Sequence, residues 1–253
     1  MLKQIYYSTK ERLSIRLIAL LVMLGINLLF LVLTIGASPG SGVMITAVVF
    51  SSLAMSYLII ANMFVSFASV HEIFSAPKGY HTLLVPVPGW KIILGRVIPA
   101  AVMDTLMMAI GIFLVVWHSL RLSGMWPLAG QPDFFAQDIL LDVSFGVVAA
   151  LVGYALLLII FCFFRVISKG LLYNAPLRIF LSILLTFVAI WVISSASNLL
   201  LLPFGRVEIW GLLVNIVIYP SPLARVMYVL VLLLQAAVFF LVSARLMERR
   251  LNV

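Results

Sequence analysis

"VVFSSLAMSYLIIANMFVSFASVHE", residues 48–72, decides how this chain must be read. From Val48 to Val70 there is no Asp, Glu, Lys or Arg. As an α-helix those residues extend about 34 Å, a little more than the roughly 30 Å hydrocarbon core of a bilayer. Backbone amides in hydrocarbon find no water, so a helix, which pairs them internally, is the expected form. His71 and Glu72 end the run, as polar residues do at a membrane surface.

Working outward, the same signature recurs. Six apolar segments lie near 17–37, 43–70, 97–117, 139–164, 179–202 and 226–244. The second and fourth are long enough to tilt or to extend past the membrane surface. Of 253 residues, 65% are hydrophobic and 9% charged, against roughly half and a quarter in soluble domains. The reading is an all-α polytopic membrane protein, with 1–253 as one transmembrane domain of six helices. Cys162, the one cysteine, lies inside an apolar run and reads as a packing residue. A lone thiol makes neither an intrachain disulfide nor a metal cage. The leader "MLKQIYYSTKERLSIR" (1–16) delays the first apolar run, which has no small-residue cleavage site, so it is not a secretory signal.

Charge sets the expected orientation. With the N-terminus inside, the inner loops and ends hold 13 of the 16 Lys and Arg residues. Only Arg121, Arg206 and Arg225 fall outside. This positive-inside asymmetry places both termini in the cytoplasm. The excess of 16 basic over 8 acidic residues does not indicate nucleic acid, because the cations are dispersed over short loops.

Two stretches interrupt the pattern. Residues 71–96, "HEIFSAPKGYHTLLVPVPGWKIILGR", form an inner loop too elaborate for a turn. A short helix capped by Ser75, with Pro77 at its start and "YHTLL" (80–84) as its amphipathic body, is expected, stopped by Pro86 and Pro88; "GWKIILGR" (89–96) starts the next span, with Trp90, Lys91 and Arg96 as interface anchors. The short helix reads either as a docking element or as plain anchoring of the third span. Residues 203–224, apolar but broken by Pro203, Gly205, Pro220 and Pro222, read as a re-entrant pair of short helices on the outer side.

Polar residues within the spans are few. At 100° per residue, Ser51, Ser52, Ser56, Asn62, Ser66 and Ser69 share one arc of the second span. Ser182, Thr186, Ser194, Ser197 and Asn198 share one in the fifth. Such stripes serve helix packing, or line a path. Asp104 is the only ionisable residue well inside a span. Its expected fates are protonation, pairing with an Arg at the cytoplasmic end, or a bond to a polar neighbour such as Asn62.

From Glu72 through "TLLVPVPGWKIILGR" (82–96) the chain resembles the segment between spans two and three of ABC-2 type exporter permeases. The resemblance rests on Glu72, Leu83, Leu84, Pro86, Val87, Ile92, Ile93, Leu94, Gly95 and Arg96. The Pro-containing run from Tyr219 and the basic "MERR" tail (247–250) look similar too, with Tyr-Pro where the family usually has Asn-Pro. The likeness implies an N-terminal interfacial elbow helix (1–16), a cytoplasmic coupling helix (73–85) and a broken outer hairpin before the sixth span. It implies two copies of a separate cytoplasmic ATPase and a second permease, identical or related, in a bacterial cytoplasmic membrane. The ATPase contacts would be Glu72, Phe74, Lys78, Tyr80, His81, Leu83 and Leu84, with Arg165 and Lys169 from the second inner loop. The path would be lined by Ser52, Ser56, Asn62, Ser66, Asp104, Ser194 and Asn198.

This chain has no "GxxxxGK[ST]" phosphate loop, so ATP and Mg would belong to the partner, and no cofactor or metal is expected here. The neutral, Met-, Phe- and Leu-rich spans suit an apolar or amphipathic cargo, such as a membrane-active peptide, a toxin or a lipid-like drug. Small exporters of amphipathic peptide toxins, the phenol-soluble modulin exporters among them, are similar in size and layout. The competing classes are an ATPase-independent transporter or channel, a membrane enzyme, and an immunity or partner-binding protein. His71, His81 and His118 do not converge at one depth, which argues against the enzyme.

Overall fold

The computed structural model describes residues 2–74, 88–122, 137–171, 175–201, 203, 207–210, 215–218 and 221–251. Their elements are α1 (Leu2–Leu33), α2 (Gly42–Glu72), α3 (Gly89–Leu122), α4 (Gln137–Leu171), α5 (Ala175–Leu201), β1 (Val207–Trp210), β2 (Asn215–Ile218) and α6 (Pro222–Leu251). Each helix contains a stretch long and apolar enough to cross a membrane. This is the architecture of a multi-pass membrane protein.

The chain divides into two compact units, residues 1–69 with 98–147, and residues 70–97 with 148–253. In the first, α1 and α3 run parallel at a constant register. Arg16 bonds Asp104, Met23 lies against the Gly111 position and Arg121 bonds Thr34, at sequence offsets of 88, 88 and 87. Helix α2 runs antiparallel to both. Ser66 bonds Arg16 near one end, and Ser51 bonds Asn27 toward the other, where the Phe30 and Phe50 rings stack 5.2 Å apart. The core between these helices is Ala19, Met23, Ala54, Met55, Leu58 and Met107. The α1–α2 turn uses Gly36 and Gly40 in the left-handed region, at φ of 77° and 75°, where a side chain is disfavoured. The Gly40 amide donates to the Leu122 carbonyl at 3.1 Å, which ties this turn to the end of α3.

In the second unit, Leu156 and Ile160 of α4 and Leu232 of α6 form the buried centre, with Ala189, Ile190 and Ile193 of α5 against it. Phe163 and Phe239 meet edge-on at 5.4 Å. Small polar contacts join neighbouring helices: the Ser168 and Ser182 hydroxyls lie 2.8 Å apart, and Gln235 Nε2 donates to Ser197 Oγ at 2.7 Å. The first residue of α3 sits tightly on α6, where a Cβ on Gly89 would lie 3.2 Å from the Ala244 carbonyl oxygen.

Two expectations change. The leader and first span form one uninterrupted helix from Leu2, not an elbow followed by a span. No Gly or Pro interrupts the junction, and Arg16 belongs to the packed face. The third helix starts at Gly89, where "GWKIILGR" is expected to start the span, and continues through Pro99. The 203–224 stretch is broken as expected, but its arms are antiparallel strands rather than short helices. Val207 pairs with Ile218 and Trp210 with Asn215. The β-branched residues of "VEIW" and "NIVI" favour that form. The proposed 73–85 helix falls outside the described residues beyond Ile73 and Phe74.

Gly111 provides a graded test of the first unit. A Cβ there would lie 2.2 Å from Met55 Sδ and 2.9 Å from Met23 Cε. Met23 is wholly buried and Met55 nearly so, so neither can turn aside without repacking the layer. Gly111→Ala should therefore cost about 1 kcal/mol, and Gly111→Leu, which over-packs the layer further, about 3 kcal/mol. Reversible unfolding in mixed micelles, followed by circular dichroism, would separate the two variants.

Candidate functional site

The most concentrated polar chemistry lies in the first unit. Arg16 Nε donates to Asp104 Oδ1 at 2.8 Å, and Nη2 donates to Ser66 Oγ at 2.8 Å and, more weakly, to Asp104 Oδ2 at 3.4 Å. The Ser66 hydroxyl donates to Asp104 Oδ2. Arg16 is 3% exposed, while Asp104 and Ser66 are fully buried. Each side chain comes from a different helix, so the triad joins α1, α2 and α3. A lone carboxylate or guanidinium in this setting would be strongly disfavoured, and the pair cancels both charges and shares their hydrogen bonds. Pairing with an Arg near a span end is one of the fates expected for Asp104. Asn62 is not its partner: Asn62 Nδ2 lies 3.6 Å from Met107 Sδ, and its Oδ1 has no hydrogen-bond partner among the described residues.

The polar arc of α2 therefore splits in two. Ser51, Asn62, Ser66 and Ser69 are buried. Ser52 and Ser56 are exposed, and their hydroxyls bond the Val48 and Ser52 carbonyls of their own helix at 2.8 and 2.9 Å. In α5, Ser182, Thr186 and Ser197 are buried and Ser194 is exposed. The Asn198 side chain lies outside the described residues. Of the expected path residues, Ser66 and Asp104 are thus brought into direct contact, Asn62 is buried in the same helix group, and Ser52 and Ser56 point away from it.

The expected ATPase contacts that are described fall in the second unit. Arg165 Nη2 of α4 donates to His71 Nδ1 of α2 at 2.6 Å. An arginine has no acceptor, so Nδ1 is the unprotonated ring nitrogen. Arg165 is 3% exposed. Its Nε and Nη1 have no hydrogen-bond partner among the described residues, and Arg178 and Lys169 are charged neighbours. Lys169 is exposed and Glu72 half-buried, while Phe74 is buried with Ile73. This unit gathers Glu72, Phe74, Arg165 and Lys169 on the terminal turns of α2 and α4 and the residues just beyond α2. Lys78, Tyr80, His81, Leu83 and Leu84 lie outside the described residues.

Sequence reading singles out neither of two participants. Arg16 counts there only among the inner-side cations. Its signal was depth, since it precedes Thr34 by about as many residues as Asp104 precedes Arg121. His71 was likewise assigned only to the inner side, although it and Arg165 close two spans at the same end. Among the described residues no group of three or more His, Cys, Asp or Glu could hold a metal. Comparison with protein-family models, curated proteins and solved structures finds no match for this chain.

The triad makes a prediction about coupling. Asp104→Leu leaves Arg16 buried without its counter-charge, and Arg16→Met does the reverse. Each should cost about 3–5 kcal/mol. Arg16→Met with Asp104→Leu should recover most of that loss. The signature is a large coupling energy in a double-mutant cycle of detergent-solubilised protein.

Proposed function

We propose that this chain is the membrane-spanning permease subunit of an ATP-driven exporter of the ABC-2 type. Its cargo would be apolar or amphipathic, and a separate cytoplasmic ATPase would power it. The observation that carries this reading is the pattern from Glu72 to Arg96, set between two membrane-spanning helices. Its paired leucines, Pro-Val step and Gly-Arg close resemble the coupling segment of that class. The described residues at its two ends support a mechanical role. Glu72 ends α2, Phe74 lies in the turn just after it, and Gly89 begins α3 packed against α6. The His71–Arg165 bond joins α2 to α4 at the same end. A push on a segment held this way would be passed to α2, α3 and α4 together.

Export, cytoplasmic termini and a bacterial membrane belong to the same proposal. The cations near this end, Arg165, Lys169 and Arg178, suit a cytoplasmic face. Amphipathic cargo suits a chain whose exposed residues in the spans are mostly aliphatic and aromatic, with a few hydroxyls such as Ser52, Ser56 and Ser194.

The test is purification of the native complex in mild detergent. A cytoplasmic ATPase with a phosphate-binding loop should co-purify, and its ATP turnover should rise with amphipathic peptides. Leu83→Asp with Leu84→Asp should abolish co-purification while the permease stays monodisperse. Retention of transport by the isolated chain, with no ATPase bound, would reject the proposal.

A further inference from the structure

The first unit contains a cleft of about 540 Å³ between α1 and α3. Its walls are apolar: Leu21, Leu24, Leu28 and Leu31 line one side, and Phe113 and Trp117 the other. Gly25 lines it as well, and a Cβ built there meets nothing within 4 Å, so the space beside it is open. Asn27 is the polar residue on the leucine side, and its amide is already bonded, Nδ2 to the Met23 carbonyl and Oδ1 to the Ser51 hydroxyl; the other polar lining residue lies toward Thr34. His118 lines the cleft, is 2% exposed, and its Nδ1 has no hydrogen-bond partner among the described residues. Arg121 lies one turn beyond His118, with its guanidinium on the Thr34 hydroxyl and carbonyl, both at 3.0 Å.

We propose that this cleft holds one acyl chain of a membrane phospholipid, with the ester end at His118 and Arg121 and the tail running toward Leu21.

Length and polarity each favour that occupant. From Leu21 to Leu31 the cleft follows about 15 Å of helix, half of a hydrocarbon core and so the depth of one leaflet. The cleft is open along its side rather than enclosed, so a hydrocarbon chain can enter it from the bilayer. The polarity gradient is that of a lipid. The apolar part lies at depth, and a buried nitrogen in need of a partner lies near the surface, followed by a cation suited to a phosphate. The inference rests on the membrane-spanning helices and not on the exporter reading.

The experiment exploits Trp117 on the wall of the cleft. Trp90, Trp126, Trp191 and Trp210 are replaced by Phe, and the full chain is reconstituted with phospholipids carrying bromine on the acyl chain, a contact quencher of tryptophan. With the bromine carried by an anionic phospholipid at low fraction in a neutral bilayer, a lipid retained through Arg121 should quench Trp117 at a fraction at which Trp191, studied as the sole tryptophan in a parallel variant and 72% exposed, is little affected. Gly25→Leu should fill the cleft and make Trp117 respond as Trp191 does. Leu28→Phe serves the same purpose if Gly25→Leu does not reconstitute. Arg121→Gln should raise the anionic fraction needed. Quenching of Trp117 that needs the same anionic fraction as Trp191, with Gly25 intact, overturns the proposal. So does a Trp117 shielded from every lipid, which would mean that protein covers the cleft. Displacement by an amphipathic peptide, but not by excess unbrominated phospholipid, would assign the cleft to cargo and overturn it as well.

Discussion

A carboxylate and a guanidinium inside hydrocarbon leave a chain little choice, and the Arg16–Asp104 pair fixes the first unit on that account. In water a mispaired charge is solvated at small cost. Within the spans there is no such refuge, so the helices must adopt the register that brings the two groups together. A shift of one residue along either helix would turn its side chain by about 100° and move it by 1.5 Å. Ser66 adds a third helix to the same constraint, because its hydroxyl lies between guanidinium and carboxylate. Once this end is fixed, the rest of the α1–α3 seam follows at the same offset. Gly111 makes room for Met23 and Met55, and Arg121 reaches Thr34 at the far end.

The second unit is held by weaker and more numerous contacts. Its helices meet through aromatic edges, small hydroxyl pairs and close approaches such as Gly89 on Ala244. Such contacts suit a solvent that is itself apolar. Burying leucine gains little when lipid is the alternative, so fit and hydrogen bonds decide which helices touch. Exposed Leu199, Leu234 and Trp191, which would be a liability in water, are ordinary here. The charged clamp of this unit differs from the Arg16–Asp104 pair because His71 and Arg165 do not cancel. Arg165 keeps its positive charge and two unbonded nitrogen positions close to a helix end, with Arg178 and Lys169 nearby.

The spans were legible because runs such as 48–70 leave one physical option. Their ends were less so. Apolar content marks where a helix can sit in lipid, not where its hydrogen bonding stops, and α1 and α3 both begin before their apolar runs. The hairpin of β1 and β2 was misread because short apolar runs between prolines carry no decisive period. The polar arc of α2 was found, but its meaning was not. Ser51, Asn62 and Ser66 lie within about 60° of one another, with Ser52 and Ser56 about 40° and 80° further round, and nothing within the helix says where along that arc the packed face ends. The partner of Asp104 required a comparison of depths across three helices, which no pattern within a single helix contains.

The same packing bears on how such a chain would be driven. A carrier that couples transport to protons needs a carboxyl that exchanges with water during its cycle. Asp104, the one acid well inside a span, is instead held by two side chains on two other helices and is wholly buried. Releasing it would loosen α1, α2 and α3 together. That arrangement suits a unit whose three helices move as one piece, because a force can be transmitted only through helices that do not slide past one another, and it does not suit one driven by a change of protonation within those helices.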